Sequence, residues 1–135
     1  MYRYASVTII CLLVAASVSA ESMSPANDLI RQYQSKSTNQ ISSARGKQLW
    51  QQVFTASKTP VERSCASCHT ADPRKSGKHI RTGKTIAALA PSVNHKRLTD
   101  TRKIQKWLKR NCLWTLGREC TATENGDLLS YLKEL

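Results

Sequence analysis

The apolar residues of this chain recur mostly at the three- and four-residue spacing of amphipathic helices. Between residues 43 and 54 one face carries small or apolar side chains, namely Gly46, Leu49, Trp50, Val53 and Phe54. Gly46 lies four residues before Trp50, and we expect another helix to approach closely there because glycine has no side chain. This segment is the first well-defined helix of the predicted fold.

A second helix is predicted from about Asp100 to Cys112, with Thr99 or Asp100 as its N-cap. Lysines and arginines occupy most of its faces, which marks them as exposed to water. Its apolar stripe, which we expect to face inwards, consists of Ile104, Trp107 and Leu108.

The last helix begins at Thr121, because Thr121 and Glu124 have the spacing of a capping box. The residues that it is expected to bury are Leu128, Tyr131 and Leu132. Shorter helices are predicted at residues 25–33 and 85–90, and the segments 35–40 and 70–84 are polar or contain Pro and Gly, as loops do. Since no segment has a convincing strand pattern, the chain is predicted to be all-α.

An apolar run near the N-terminus, from Ala5 to Val18, has the layout of a secretory signal peptide. Arg3 precedes the run, and small residues lead to a cleavage site after Ala20. The run is shorter than the roughly 20 residues that a membrane-spanning helix needs, and no later segment is apolar enough to span. An uncleaved membrane anchor is the alternative.

We therefore expect a periplasmic product with no membrane span after cleavage. Residues 1–20 are predicted to be the signal peptide and residues 21–42 an N-terminal extension and linker. Residues 43–135 are predicted to form one small domain, since the remaining chain is too short for two.

The run Cys65-Ala66-Ser67-Cys68-His69 has the pattern of c-type haem attachment. Cys65 and Cys68 lie one helical turn apart, so both sulfurs can form thioethers with the vinyl groups of one haem. His69 follows directly and is placed to bind the iron. We therefore predict one covalently attached haem c per chain, bound by Cys65, Cys68 and His69.

None of the other three cysteines is predicted to bind the haem. Cys11 leaves with the signal peptide, whereas Cys112 and Cys120 lie close in sequence in an oxidising compartment, where a disulfide is the default. Closing so short a loop would stabilise the fold by about 2–3 kcal/mol. A zinc site is the alternative, but the ligands left for it, Cys112, Cys120, His79 and His95, have no zinc-finger spacing.

The formal net charge of the chain is +12. Nucleic acid is the usual partner of such a basic protein, but an exported haem protein rarely meets it. An acidic redox partner, attracted over a long range, fits the charge better.

The second axial ligand of the iron is not predicted to be methionine, because Met23 precedes the haem motif and no methionine follows it. His79 and His95 are candidates, although their charged neighbours also suit exposed loop histidines. Asn94 is a third. Asn111 has the strongest geometric basis, since its amide lies on the apolar stripe of a helix beside the expected disulfide. A buried amide needs a partner, which either the iron or a backbone group would supply.

Motifs across nearly all of the predicted mature chain resemble one family, the monohaem cytochromes c with an asparagine sixth ligand, or sphaeroides haem protein family. The matching segments are Ser43 to Gly46, Cys65 to His69, Thr82 to Lys84, Leu89 to Asn94, Arg97 to Asp100, Lys106-Trp107, Arg110 to Cys112, Gly117 to Thr121 and Gly126 to Leu132. The most specific match is the pairing of Arg-Asn-Cys with Gly-Arg-Glu-Cys.

The resemblance implies an all-α, class I cytochrome c-like fold in which helices surround one covalently bound haem. It implies His69 as the proximal ligand and Asn111 as the distal one, beside a disulfide between Cys112 and Cys120. It also implies that a dihaem cytochrome c, or another acidic redox partner, supplies electrons, and that the reduced protein binds O2, NO or CO. A neutral carbonyl oxygen suits ferric iron better than ferrous iron, so we expect high-spin ferric haem and release of Asn111 on reduction.

Two other functions remain open alongside this gas-binding electron-transfer protein. One is an enzyme, an oxidase or nitric oxide dioxygenase, although no general acid or base is visible on the distal stripe. The other is a plain bis-histidine electron carrier, which His95 keeps open because it departs from the family pattern.

Overall fold

The computed structural model describes residues 24–55 and 61–135, so the predicted signal peptide lies outside the described residues. The described part contains five helices: α1 (Pro25–Gln34), α2 (Ser43–Gln51), α3 (Cys65–His69), α4 (Thr101–Thr115) and α5 (Ala122–Lys133). Four two-residue strands form two antiparallel pairs, β1 (Phe54–Thr55) with β2 (Glu62–Arg63) and β3 (Gly77–Lys78) with β4 (Thr85–Ile86). In this part of the chain, no helix is both long and apolar enough to cross a membrane.

Each helix begins at a serine, threonine or aspartate whose side chain accepts a hydrogen bond from the first turn. These N-caps are Ser24, Ser42, Ser64, Asp100 and Thr121. Such a cap contributes about 1 kcal/mol to a helix. The capping box predicted at the last helix is confirmed, and α4 is capped by Asp100 rather than by its neighbour.

The crossing of α2 and α5 forms the main part of the core. Its buried residues are Leu49, Trp50, Leu128, Tyr131 and Leu132. A Cβ atom on Gly46 would overlap the backbone carbonyl group of Asp127, so only glycine lets the two helices approach this closely. The close approach predicted at Gly46 is confirmed, and so is the burial predicted along the last helix.

The first helix is packed into the same body. Ala26 and Leu29 of α1 form a second buried cluster with Ile104 of α4 and Leu129 of α5, and Leu29 and Leu129 are fully buried. The domain boundary at residue 43 stays a prediction, but the segment before it contributes directly to the core.

Three predicted elements differ from the structure. Helix α2 ends at Gln51, because the chain turns there into the strand pair β1–β2, and α4 continues to Thr115. The segment 85–90 is not helical: its first two residues form β4, and the backbone N–H groups of Leu89 and Ala90 both donate to the carbonyl of Pro73, at 2.9 and 3.1 Å. These tertiary hydrogen bonds replace the helical ones.

Candidate functional site

Helix α3 is a single turn that holds the Cys-x-x-Cys-His run. A capping box at its start fixes the turn: Ser67 N–H donates to Ser64 Oγ at 3.1 Å, and Ser64 N–H donates to Ser67 Oγ at 3.0 Å. Cys65 and Cys68 are both partly buried and neither forms a disulfide. The structure therefore presents two free thiols one turn apart.

The thiol of Cys65 is not activated. Burial, opposed by a backbone hydrogen bond and reinforced by the neighbouring Cys68, raises its pKa to about 11. A redox-active pair of cysteines needs a thiolate with a lowered pKa, so this environment does not suit thioredoxin-like chemistry.

His69 ends α3 with an unusual ring environment. Its Nδ1 is buried and has no hydrogen-bond partner in the described part of the chain. Burial first, and then the nearby charges of Arg97 and His79, lower the pKa of His69 to about 4. The imidazole is therefore neutral at pH 7, the form in which histidine binds metals.

Trp50 of α2 anchors this turn on the core. Its indole N–H donates to the carbonyl of Thr70 at 2.9 Å, and its ring lies 5.6 Å from the ring of His69 between centroids. The indole of Trp50 also packs edge-on against the ring of Tyr131, with 6.1 Å between the ring centroids. The position of His69 is thus set by the α2–α5 crossing.

The β3–β4 hairpin covers the other side of the turn. A Cβ atom on Gly77 would overlap the backbone carbonyl of Cys68, so β3 lies directly against α3. An open groove of about 460 Å³ runs along this contact, lined by Ala66, Ser67, Cys68, Thr70, Ser76, Gly77, Lys78 and Thr85. It reaches one thiol but neither His69 nor Asn111, so it is not the place where an axial ligand would act.

Asn111 lies on the edge of the buried face of α4. Its residues on the inner side, Ile104, Cys112 and Thr115, are buried, whereas Asn111 itself is partly buried. Among the described residues its amide takes part in no hydrogen bond, so no backbone group supplies the partner that a core amide needs.

Trp107 does not follow the sequence prediction. It is 48% exposed, and the guanidinium of Arg110 lies 5.4 Å from its ring centroid. The buried residues of α4, Ile104, Cys112 and Thr115, lie along one line on the helix surface. Trp107 lies beside that line and therefore outside the buried face. Trp107, Asn111 and Trp114 instead form a second stripe, an amide between two indoles.

A disulfide joins Cys112 to Cys120, with the Cα atoms 5.5 Å apart. It connects the last turn of α4 to the segment that leads into α5. The chain returns through Gly117, whose φ of +75° suits glycine. The residue after Asn111 is thereby tied to α5.

The rival ligand candidates have different surroundings. His95 is exposed. The side-chain N–H of Asn94 donates to the carbonyl of Ala88 at 3.0 Å, which holds this side chain against the loop. His79 is partly buried, and its ring lies 6.3 Å from the indole of Trp114 between centroids.

Arg97 is a site residue that sequence reasoning did not single out. Its guanidinium donates to the carbonyls of Ala87 and Ala88 at 2.8 and 2.9 Å, and its charge acts on His69. In the described part of the chain it pairs with no carboxylate. The only available signal was its place in the Arg97-Leu98-Thr99-Asp100 segment of the family resemblance.

These residues fit a haem c. The donor set offers two free thiols, a neutral imidazole with an unpartnered nitrogen, and, on α4, an amide with no hydrogen bond among the described residues. No group of three or more His, Cys, Asp or Glu residues is assembled within residues 24–55 and 61–135, so the donors expected at a zinc site are not gathered there.

Comparison with known proteins finds a matching family model and a relative that is a c-type cytochrome. Residues 36–132 match a family model described as a domain of unknown function, DUF1924. A relative is the cytochrome c-type protein SHP of Cereibacter sphaeroides, 40% identical over 124 residues that span 92% of this chain and 94% of that protein.

Solved structures of the same kind superpose on this fold. Oxidised SHP, described as an oxygen-binding cytochrome c, matches with a TM-score of 0.74 and 38% identity, covering 84% of this chain and 100% of that one. A solution structure of cytochrome c'' from Methylophilus methylotrophus, described as giving insights into the structural basis of haem-ligand detachment, matches with a TM-score of 0.69 and 36% identity, covering 79% of this chain and 90% of that one.

Proposed function

Because this chain belongs to the SHP family of monohaem c-type cytochromes and has their class I-like fold, we propose that it is an exported, periplasmic haem protein that binds diatomic gases when reduced. The observation that carries the proposal is the turn at Cys65–His69, with two free thiols and a neutral histidine whose buried nitrogen has no partner. SHP itself is described as oxygen-binding.

Three residues of α3 bind the haem in this proposal. Cys65 and Cys68 would each add their S–H across one vinyl group of the haem, which would form one thioether each with no leaving group. His69 is the proximal ligand, and Trp50 holds its turn in place through the carbonyl of Thr70. When bound, the haem supplies an iron that accepts one electron and has affinity for small gases.

Asn111 is the distal ligand in this proposal. Its amide has no other partner in the described structure, and its carbonyl oxygen is a hard donor that suits ferric better than ferrous iron. Asn111 would therefore be released more readily on reduction, and its departure would leave a position for O2, NO or CO. Cytochrome c'', studied for detachment of a haem ligand, provides a related precedent.

Arg97 balances negative charge in this proposal. A haem carries two propionates, and a guanidinium held by two carbonyls beside His69 would stabilise one of them. The same cation disfavours protonation of His69, so it also keeps the proximal ligand in its binding form.

Electrons come from an acidic redox protein, for example a dihaem cytochrome c. The net charge of +12 favours such a partner. The side chains of Lys75, Lys78 and Lys84 are exposed and form no ion pair with any described residue, and Lys78 lines the groove beside Cys68. These lysines remain free for a partner's carboxylates.

The optical spectrum of the holoprotein tests the proposal. Wild-type protein is expected to be high-spin when ferric and to take up CO rapidly after reduction with dithionite. Asn111→Ala should change the ferric spectrum, whereas Asn94→Ala, which removes an amide already bound to a carbonyl, should not. Low-spin spectra in both oxidation states, unchanged by Asn111→Ala and by CO, would contradict the proposal.

Turnover separates this function from an enzyme. With an electron donor present, continuous consumption of O2 or NO would identify an oxidase or a nitric oxide dioxygenase built on the same site. Binding without consumption is the expected result.

A further inference from the structure

His79 lies beside the site, and the proposed function gives it no role. Its ring is 6.3 Å from the indole of Trp114 between centroids, tilted by 35°. Trp114 is three residues after Asn111 in α4, and residues at that spacing are neighbours on a helix surface. His79 also acts electrostatically on His69. Through Trp114, His79 therefore lies near the turn of α4 that carries Asn111.

The backbone around His79 is held in a tight turn. His79 N–H donates to the carbonyl of Lys84 at 2.8 Å, and Gly83 N–H donates to the carbonyl of His79 at 2.8 Å. Gly83 has a φ of +68°, which glycine adopts without strain. The hairpin thus presents the imidazole from a fixed position.

A hydrogen bond determines which ring nitrogen of His79 carries the proton. The backbone N–H of Thr82 donates to His79 Nδ1 at 3.2 Å, and Thr82 Oγ1 lies 3.1 Å from the same nitrogen. A backbone N–H can only donate, so Nδ1 is the acceptor. In the neutral ring the proton is then on Nε2, which makes Nε2–H a donor. In the described structure no other group occupies that donor.

The same side of the site is positively charged. The guanidinium groups of Arg63 and Arg81 lie 4.2 and 5.5 Å from the ring centroid of Trp114. Arg63 also donates to the carbonyl of Trp114 at 3.0 Å. The positive charge of these two arginines stabilises a ligand that accepts hydrogen bonds and takes on negative charge from the iron.

We propose that His79 is the distal hydrogen-bond donor of this site, and that its Nε2–H bonds to the diatomic ligand that takes the place of Asn111. This inference rests on the proposed function. It makes the site selective: a bound gas that accepts a hydrogen bond well, such as O2, is retained in preference to CO, which accepts one poorly.

The test uses the reduced holoprotein and three variants. His79→Leu removes the donor, His79→Gln keeps an N–H donor, and His95→Leu is the matched control on an exposed histidine. The readouts are the infrared stretching frequency of bound CO and the rate of O2 dissociation. His79→Leu should raise both, with O2 leaving about tenfold faster, since a hydrogen bond of about 1.4 kcal/mol corresponds to a factor of ten.

The control and the rescue decide the interpretation. His95→Leu should match wild type, and His79→Gln should recover most of the CO frequency. If His79→Leu leaves both readouts at wild-type values, the inference is wrong while the proposed function stands. If His79→Leu converts a low-spin ferric spectrum to high-spin, His79 is itself the sixth ligand, and both the inference and the Asn111 assignment are wrong. If reduced wild-type protein binds no CO, the proposed function fails and the inference with it.

Discussion

The carboxylate of Asp127 is buried where α2 crosses α5, and replacing it measures how strongly this contact holds the two helices together. Its side chain is 5% exposed. It accepts hydrogen bonds from Ser42 N–H at 2.6 Å and from Arg45 Nε and Nη2 at 2.9 and 3.1 Å. One carboxylate therefore fixes both the start of α2 and an arginine of its first turn.

The size of the effect follows from these contacts. Breaking a buried ion pair costs about 3–5 kcal/mol, and a buried donor left unpaired costs about 1–3 kcal/mol. Since the side chain of Arg45 is 46% exposed, water takes over part of its hydrogen bonding, so the lower end applies. We expect Asp127→Ala to lower the free energy of unfolding by about 3 kcal/mol. Asp127→Asn, which keeps an acceptor for Ser42, should lose about half as much.

Urea unfolding of the ferric holoprotein provides the measurement, followed by circular dichroism at 222 nm, a wavelength that reports helix. The matched control is Asp28→Ala, which removes an exposed ion pair with Arg31 and should cost less than about 1 kcal/mol. If Asp127→Ala destabilises no more than Asp28→Ala, the carboxylate does not hold the helices together and the reasoning is refuted.

Three further predictions concern the disulfide, a capping box and the basic surface. Replacing Cys112 and Cys120 together by serine should lower the free energy of unfolding by about 2–3 kcal/mol in urea titrations, and an unchanged midpoint would contradict this. Arg118 first, and then the Thr121 backbone N–H, lower the pKa of Glu124 from 4.5 to about 2. Because the folded pKa is the lower one, this contribution is complete above pH 4.5 and is lost as the pH falls towards 2, so Glu124→Gln should remove that part of the acid dependence of stability. Reduction by an acidic redox protein such as flavodoxin should slow as ionic strength rises, whereas a rate independent of salt would argue against an acidic partner.

Much of the helical frame could be predicted because its signals are local. Gly46 marked the crossing of α2 and α5, since a glycine on an apolar helix face has few other uses. The N-cap of α5 at Thr121 and the cap of α4 at Asp100 follow from side chains that bond within one turn. Such signals do not depend on the rest of the fold.

Other features depend on contacts between distant parts of the chain. The hydrogen bonds from Leu89 and Ala90 to Pro73 take the place of the helix predicted at residues 85–90. No sequence pattern around Leu89 or around Pro73 indicates these bonds. Trp107 belongs to an apolar stripe by spacing, but the line of burial along α4 passes beside it. The charge of Arg97 acts on His69 only because the fold brings these residues together.

The order of the helices along the chain has a consequence for how the protein matures. Both α1 and α2 pack against α5, which lies far from them in sequence. Neither early helix can complete its buried contacts until residues 122–133 are in place, so the core depends on contacts between distant parts of the chain. Until then the turn that holds Cys65 and Cys68 has no packed core behind it, because the Trp50 side chain that anchors this turn belongs to the α2–α5 crossing. Docking of α5 thus sets the point in folding at which the two thiols take up fixed positions.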